Sequence, residues 1–424
     1  MDNSIVESQT FIHGRGKSFC RGCLGKDLFS GLDLGNLPIA NELSLEPASE
    51  LERFPLHLRI CRDCGLGQVE DVATPERIFR DYRYLSSMST TFLKHAQDFV
   101  DERMNDWGGS SEDWVLEIAS NDGYLLKNFL AYGVKVVGVE PAENVANISR
   151  SLGIKTISEF FTEDLARELL KEYGFPRLII ANNVMAHVPD LIDFVQGLSI
   201  LCGKETLISI ENPPLANILN DLQFDTIYHE HYSYLSVTAV RKICEMNGLA
   251  LIKVEQLSIH GGSNRYWISS SSIEKEIDSS VSHAMQIEDD FGLFDPHVWD
   301  LCSNKVRKLK EHFSDWLRSR QEQGRRIFGY GAAAKASTIL NLIPRESLMI
   351  LGIADKSTEK QNRYMSPIDS KILSPEELFK AKPSDIIIFP WNIKSEIAEY
   401  LCENLSSSVQ LWCLVPNLHR VYAK

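Results

Sequence analysis

Two cysteine pairs constrain this chain more than any other feature: Cys20 and Cys23 form one C-x-x-C, Cys61 and Cys64 a second. Each turn of this kind aims two sulfurs at one point, and two together supply the four thiolates of a tetrahedral zinc site. The gap between the pairs, Leu24 to Ile60, is 37 residues. That is longer than a simple knuckle needs and predicts a subdomain in its own right. Four protein ligands leave no position for water, so the metal is read as structural, worth about 10–16 kcal/mol of apparent binding free energy to a segment with little core. Two reactive C-x-x-C pairs are the alternative. The other five cysteines (Cys202, Cys244, Cys302, Cys402 and Cys413) are scattered singly, which argues against a disulfide framework.

At 424 residues the chain has length for about three domains. Its 44 Lys and Arg against 58 Asp and Glu leave a net charge of −14, the wrong sign for a nucleic-acid partner. No window approaches the roughly 20 apolar residues of a membrane span, and the first residues do not resemble a signal sequence, so a cytoplasmic enzyme is expected. Pro38, Pro47 and Pro55, followed by the alternating Leu56 to Ile60, predict short strands and turns between the cysteine pairs. From Pro75 the pattern becomes helical: Ile78, Phe79, Tyr82 and Tyr84, then Phe92, Ala96, Phe99 and Val100 on a helix ending near Trp107.

A new unit follows. Trp114 to Ala119 reads as an apolar strand, Ser120-Asn121-Asp122-Gly123 as a tight polar turn into a helix, and Val134 to Val139 as a second strand ending at Glu140. A strand, turn, helix and strand ending in an acid form a nucleoside-binding unit, with the carboxylate of Glu140 free to accept ribose hydroxyls. The turn lacks the G-x-G-x-x-G that admits a pyrophosphate. Glu117 and Asp122 suit a cationic ligand instead, so S-adenosylmethionine is favoured over NAD. Leu178 to Ala181 and Thr206 to Glu211 continue the alternation, predicting a doubly wound parallel sheet with ligands at the carboxyl ends of its strands, where Asn182, Asn183 and His187 fall.

Beyond Pro214 comes Phe224-Asp225-Thr226-Ile227-Tyr228-His229-Glu230-His231-Tyr232-Ser233-Tyr234, dense in rings and titratable groups. It could be a polar aromatic loop or a second zinc site through His229 and His231. The favoured reading is an acid/base cluster, since a neutral imidazole near pH 7 is well poised to remove a proton. Ile259-His260-Gly261-Gly262-Ser263 is either a ligand contact or a turn, and Ser269 to Ser282 a solvated boundary. Asp300 to Gln323 is a packing helix. Arg326 to Gly331 then runs as strand into glycine turn, with a helix from Ala332 to Leu340 and strands at Leu348 to Ala354, Ile386 to Phe389 and Val409 to Val415. In this second α/β sheet, G-Y-G-A-A-A-K suggests a nucleotide site: small residues admit a phosphate to a helix start and Lys335 can reach it.

Taken together, the paired C-x-x-C, D-Y-x-Y-x-S-S at Asp81 to Ser87, E-I-A-S-N-D-G-Y-L-L, N-V-M-A-H-V-P-D, Y-H-E-H, I-H-G-G-S and G-Y-G-A-A-A-K resemble the sugar C-methyltransferases acting at C-3 of nucleotide-linked 4-keto-deoxysugars. The resemblance implies an α/β chain in three parts. A zinc-binding domain (1–74) precedes a class I methyltransferase doubly wound sheet (75–282), and a second Rossmann-like α/β domain (283–424) follows. It implies S-adenosylmethionine along Glu117, Ala119, Asn121, Asp122 and Gly123, with Glu140, Asn183 and His187 nearby. His231 would be the catalytic base, accompanied by Tyr228 and Glu230, with Tyr82 or Tyr84 at the sugar. His229, His260, Lys335 and Asn392 are candidate contacts to a nucleoside-diphosphate-linked keto-deoxysugar. Asn362 and Ser366 stand where family members have glycine. A monomer is expected, and O- or N-methylation of a nucleotide sugar is the alternative activity.

Overall fold

The excursion between the cysteine pairs forms the predicted strands, β1 (Leu28–Leu37) and β2 (Phe54–Cys61), and β3 (Gly67–Gln68) leaves the second pair. These come from a computed structural model that describes residues 15–47, 51–74, 77, 85–107, 113–273 and 275–422. The expected helix spans Thr90–Trp107 and buries Phe92, Ala96, Phe99 and Val100. Apolar runs then become β4 (Trp114–Ile118), β5 (Lys135–Val139), β6 (Lys155–Ile157), β7 (Leu178–Asn182) and β8 (Leu207–Asn212). After β9 (Ser233–Tyr234), the chain adds β10 (Leu249–Leu257) and β11 (Ser263–Ser270).

Contacts divide the chain into two units. The first gathers the described residues of Met1–Phe29 with Ile60–Pro214 and His231–Phe294; the second gathers Ser30–Arg59, Leu215–Glu230 and the described residues of Asp295–Lys424. In the first, seven strands lie in the order β10-β11-β8-β7-β4-β5-β6, with β4 to β8 parallel and β11 antiparallel to its neighbours β8 and β10. Successive residues of β4 serve opposite faces: Leu116 and Ile118 join a core with Val137, Ile179 and Phe194, while Val115 joins Phe92, Phe99 and Phe129. Helices on both sides explain why these strands read as unbroken apolar runs rather than alternating ones. From β4 the chain winds one way through β5 and β6, then returns to the other side of β4 for β7. The carboxyl ends of β4 and β7 therefore border the crevice where doubly wound sheets bind ligands.

The second unit repeats this plan with β12 (Ile327–Tyr330), β13 (Ile353–Ala354), β14 (Asp385–Ile388), β15 (Gln410–Cys413) and β16 (His419–Val421), ordered β13-β12-β14-β15-β16. Here the winding reverses between β12 and β14. The strand expected from Leu348 shrinks to Ile353–Ala354, because Pro344–Ser347 is a helical turn and Leu348 and Leu351 are exposed. The long helix starts earlier than expected, at Pro296, where the Asp295 carboxylate accepts the His297 N–H. Asn362 holds φ +64°, a left-handed conformation that asparagine tolerates.

Arg53 donates to Asn341 Oδ1 at 3.2 Å, and Ser44 bridges to Tyr364, so 30–59 packs as part of the second unit. The stretch expected to be a solvated boundary also narrows: Ser269 and Ser270 belong to β11, and a helix begins at Ser279. Among the described residues no helix is long and apolar enough to cross a membrane.

Candidate functional site

The four predicted thiols converge. Cys20, Cys23, Cys61 and Cys64 place their sulfurs within 4.8 Å of one another, with Cys20 to Cys64 at 3.5 Å and Cys23 to Cys61 at 3.6 Å. A zinc ion with bonds of about 2.3 Å to four sulfurs separates them by about 3.8 Å, so this donor set fits a closed tetrahedral site. The knuckle is fastened to a loop of the seven-stranded sheet: Arg21 donates to the Pro189 carbonyl at 3.0 Å and pairs with Asp71 at 2.7 Å, both ends fully buried. Arg21 also lies 5.3 Å over the Tyr232 ring, and Val69 N donates to the Tyr232 carbonyl.

At the carboxyl end of β4 the polar turn takes three left-handed residues, Ala119, Asn121 and Gly123, at φ +56°, +50° and +79°. Gly123 is required there: a Cβ would stand 2.6 Å from Ile154 Cδ1. The turn gathers three carboxyls. Burial raises Glu117 well above the usual carboxylate range, and the neighbouring charges of Asp122 and Glu140 add to the effect. Burial also pushes Glu140 up to about 7, partly opposed by the N–H groups of Ala142 and Asn121 that its two oxygens accept, at 2.9 and 3.0 Å. Each of those oxygens keeps a lone pair for a hydroxyl. Glu117 Oε2, Asp122 Oδ1 and Asn182 Oδ1 are buried with no hydrogen-bond partner among the described residues. Orphaned acceptors and crowded carboxyls fit a cationic, hydroxyl-bearing ligand and reject a diphosphate. Asn121 Oδ1 and Asp122 Oδ2 accept the N–H groups of Ser86 and Ser87, so the end of the D-Y-x-Y-x-S-S stretch docks on this turn. Tyr82 and Tyr84 themselves lie outside the described residues.

Across the crevice, β7 is followed by Asn183 at φ +53°, whose N–H donates to the Glu211 carbonyl at 2.7 Å. The turn Met185–His187 follows, and the His187 ring meets the His231 ring edge-on with centroids 4.6 Å apart. The Tyr234 ring also meets His231 edge-on, with centroids 5.9 Å apart. His231 is half-buried. It immediately precedes Tyr232 and the short strand β9, whose Ser233 and Tyr234 pair with Gln68 and Gly67 of β3.

The rest of the Y-H-E-H segment belongs to the second unit. Glu230 is buried, accepts the Asn41 N–H at 3.1 Å, and is pushed up to about 7 by burial. His229, a candidate acceptor contact, is 1 % exposed, packs edge-on against Phe54, and is lowered to about 4 by burial. Tyr228 is half-buried on the same segment. His260 falls in the short turn Ile259–Gly261 that leads to β11.

At the β12/β14 crevice, Lys335 Nζ donates to Asn392 Oδ1 at 2.7 Å. Gly331 serves packing, because a Cβ there would meet the Pro390 ring at 2.4 Å. The Ala332 N–H is already given to Asp355 Oδ2 at 2.8 Å. The turn thus offers its lysine, not the open helix start the motif suggested.

One cluster escaped the sequence. Glu211, at the end of β8, accepts Arg265 Nε at 2.8 Å and His95 Nε2 at 2.9 Å. Burial would raise this carboxyl, but His95 and Arg265 outweigh it and hold it low. The His95 ring lies parallel to Phe92, which stacks on Tyr124 beside the polar turn after β4. Only the alternation that puts Glu211 at a strand end hinted at it.

Comparison with known proteins gives three family matches in chain order: a zinc binding domain at residues 20–79, a methyltransferase domain at 92–254, and a C-methyltransferase C-terminal domain at 258–416. The C-methyltransferase NovU of Streptomyces niveus is 29 % identical over 382 residues, 90 % of this chain and 91 % of that protein. Among solved structures, the magnesium protoporphyrin IX methyltransferase of Synechocystis PCC 6803 with bound SAH is 16 % identical and covers 46 % of this chain and 92 % of its own, with a TM-score of 0.34. The mitomycin 7-O-methyltransferase MmcR is 13 % identical, covers 43 % of this chain and 55 % of its own, and has a TM-score of 0.33.

Proposed function

From the premise that the chain is an S-adenosylmethionine-dependent C-methyltransferase, of the family with a zinc-binding and a dedicated C-terminal domain, we propose that it methylates C-3 of a nucleoside-diphosphate-linked 4-keto-6-deoxyhexose. The observation that carries the reading is the His187–His231 contact. It sets a half-buried imidazole beside the carboxyl end of β7, the strand that borders the donor turn.

When bound, S-adenosylmethionine supplies an electrophilic methyl group on a sulfonium. Glu117, Ala119, Asn121, Asp122 and Gly123 would line its amino-acid end and Glu140 its ribose, with Asn183 and His187 nearby. His231 takes the proton from C-3, leaving an enolate whose carbon would bond to the methyl group as the methyl–sulfur bond breaks, the sulfur leaving as a neutral thioether and the ketone re-forming. The edge contacts with His187 and Tyr234 hold the imidazole in one orientation. General base action of this kind is worth about 10²–10⁴-fold, and oriented approach roughly 7–11 kcal/mol, so holding the ring still matters more than its basicity. Glu230, poised near neutrality, and Tyr228 are assigned to the sugar, as are Tyr82 or Tyr84 and His260; Lys335 and Asn392 are assigned to the diphosphate.

The division 1–74, 75–282 and 283–424 is kept as the proposed domain order, and the enzyme is read as a cytoplasmic monomer. The experiment is product identity: with methyl-labelled ¹³C donor and a thymidine-diphosphate 4-keto-6-deoxyhexose, the label should appear as a C-methyl signal coupled to ring carbon. An O- or N-methyl signal, or none, would remove this substrate assignment.

A further inference from the structure

The segment 215–230 carries a buried acid that the proposed mechanism does not use. Asp225 is fully buried, one of its oxygens has no hydrogen-bond partner among the described residues, and the other accepts Trp391 Nε1 at 2.8 Å. The ammonium of Lys335 sits on the face of that same indole, 4.3 Å from its centroid. Lys335 follows β12, while Trp391 and Asn392 follow β14, so the three meet where the second sheet's winding reverses. An isolated carboxylate in such a place costs stability. Its partner arrangement shows what it does: a carboxylate accepting the indole N–H feeds electron density to the ring, and a richer ring holds a cation better.

We propose that Asp225 is a positioning residue which, through Trp391, fixes the Lys335 ammonium for the acceptor's diphosphate. The inference rests on the assignment of Lys335 to that diphosphate. Burial lowers the lysine, and Asp225, with Cys413 beyond it, opposes the drop. Removing the acid therefore lets the ammonium lose its proton at lower pH. Thr338 Oγ1 also clamps the Ile227 carbonyl at 3.1 Å, so the same short segment leads from Asp225 to Tyr228 and Glu230.

The test uses full-length Asp225→Asn, which keeps an acceptor for the indole, alongside Lys335→Met. For Asp225→Asn the acceptor KM should rise about tenfold, as for loss of one charge-assisted contact. Thymidine diphosphate affinity, measured calorimetrically from pH 6.5 to 8.5, should fall off at lower pH than in the parent, while kcat changes little. The melting temperature should hold or rise, because a buried charge has gone. A lowered melting temperature with unshifted KM and pH profile would make Asp225 structural and overturn the inference. If Asp225→Asn does not fold, Trp391→Phe, which lacks the N–H but keeps a ring and the acid, must raise KM without the pH shift expected of Asp225→Asn, or the inference fails. Unchanged KM and diphosphate affinity in Lys335→Met would instead overturn the underlying assignment.

Discussion

Gly67 pairs with Tyr234 in the antiparallel ladder of β3 and β9, three residues beyond both Cys64 and His231. The metal knuckle and the proposed base are thereby two ends of one short hydrogen-bonded element. Zinc removal should loosen His231 before it unfolds the sheet. After chelation, amide exchange at Tyr232–Tyr234 should accelerate and turnover should fall, with donor affinity retained. Unchanged exchange in metal-free protein would break this link.

Donor affinity should depend on pH. Glu117 is held well above the carboxylate range by burial and by its acidic neighbours, and burial sets Glu140 at about 7. A cationic ligand prefers their ionised forms, so binding releases protons and affinity rises as pH increases from 6 to 8, by at most about tenfold per unit for each proton released. Calorimetry in buffers of different ionisation enthalpy measures the release; flat affinity with no proton release contradicts the cationic-site reading.

The same carboxyls predict the unliganded protein's stability. Glu140 and Glu230 at about 7 and Asp225 at about 6 all lie above their unfolded values. Their penalty enters as pH rises from about 4 and is complete only above the folded values. His229, lowered to about 4, acts oppositely and costs stability as pH falls below about 6.5. Of these four groups only the carboxyls titrate between pH 6.5 and 8, so Glu140→Gln should make the change of melting temperature with pH over that interval more positive than in the parent. An unchanged slope in that variant would contradict the assignment.

Arg265→Met leaves Glu211 buried without its guanidinium, and breaking a buried pair costs about 3–5 kcal/mol. The urea midpoint of the variant should drop clearly, and the double variant with Glu211→Gln should recover part of it. A single variant that melts with the parent would show that His95 alone satisfies this carboxyl.

Where the sequence was legible, a single local signal sufficed. β4, β5, β7 and β8 are apolar on both faces and announce themselves, and the cysteine pairs need only their spacing. β10 was not seen, because Leu249–Leu257 at the sheet edge mixes buried with exposed residues. Residues joined only by long-range contacts were invisible. His95 and Glu211 are 116 positions apart, and Asn41 and Glu230 are 189 apart. The second contact is part of what groups 30–59 and 215–230 with the C-terminal sheet, which no local pattern records.

Proton exchange without methyl donor tests the base directly. In deuterated water, a thymidine-diphosphate 4-keto-6-deoxyhexose should acquire deuterium at C-3 when mixed with the parent enzyme, and His231→Ala should slow that exchange by about 10²–10⁴-fold while binding S-adenosylmethionine as the parent does. Exchange at the parental rate in His231→Ala would contradict the assignment.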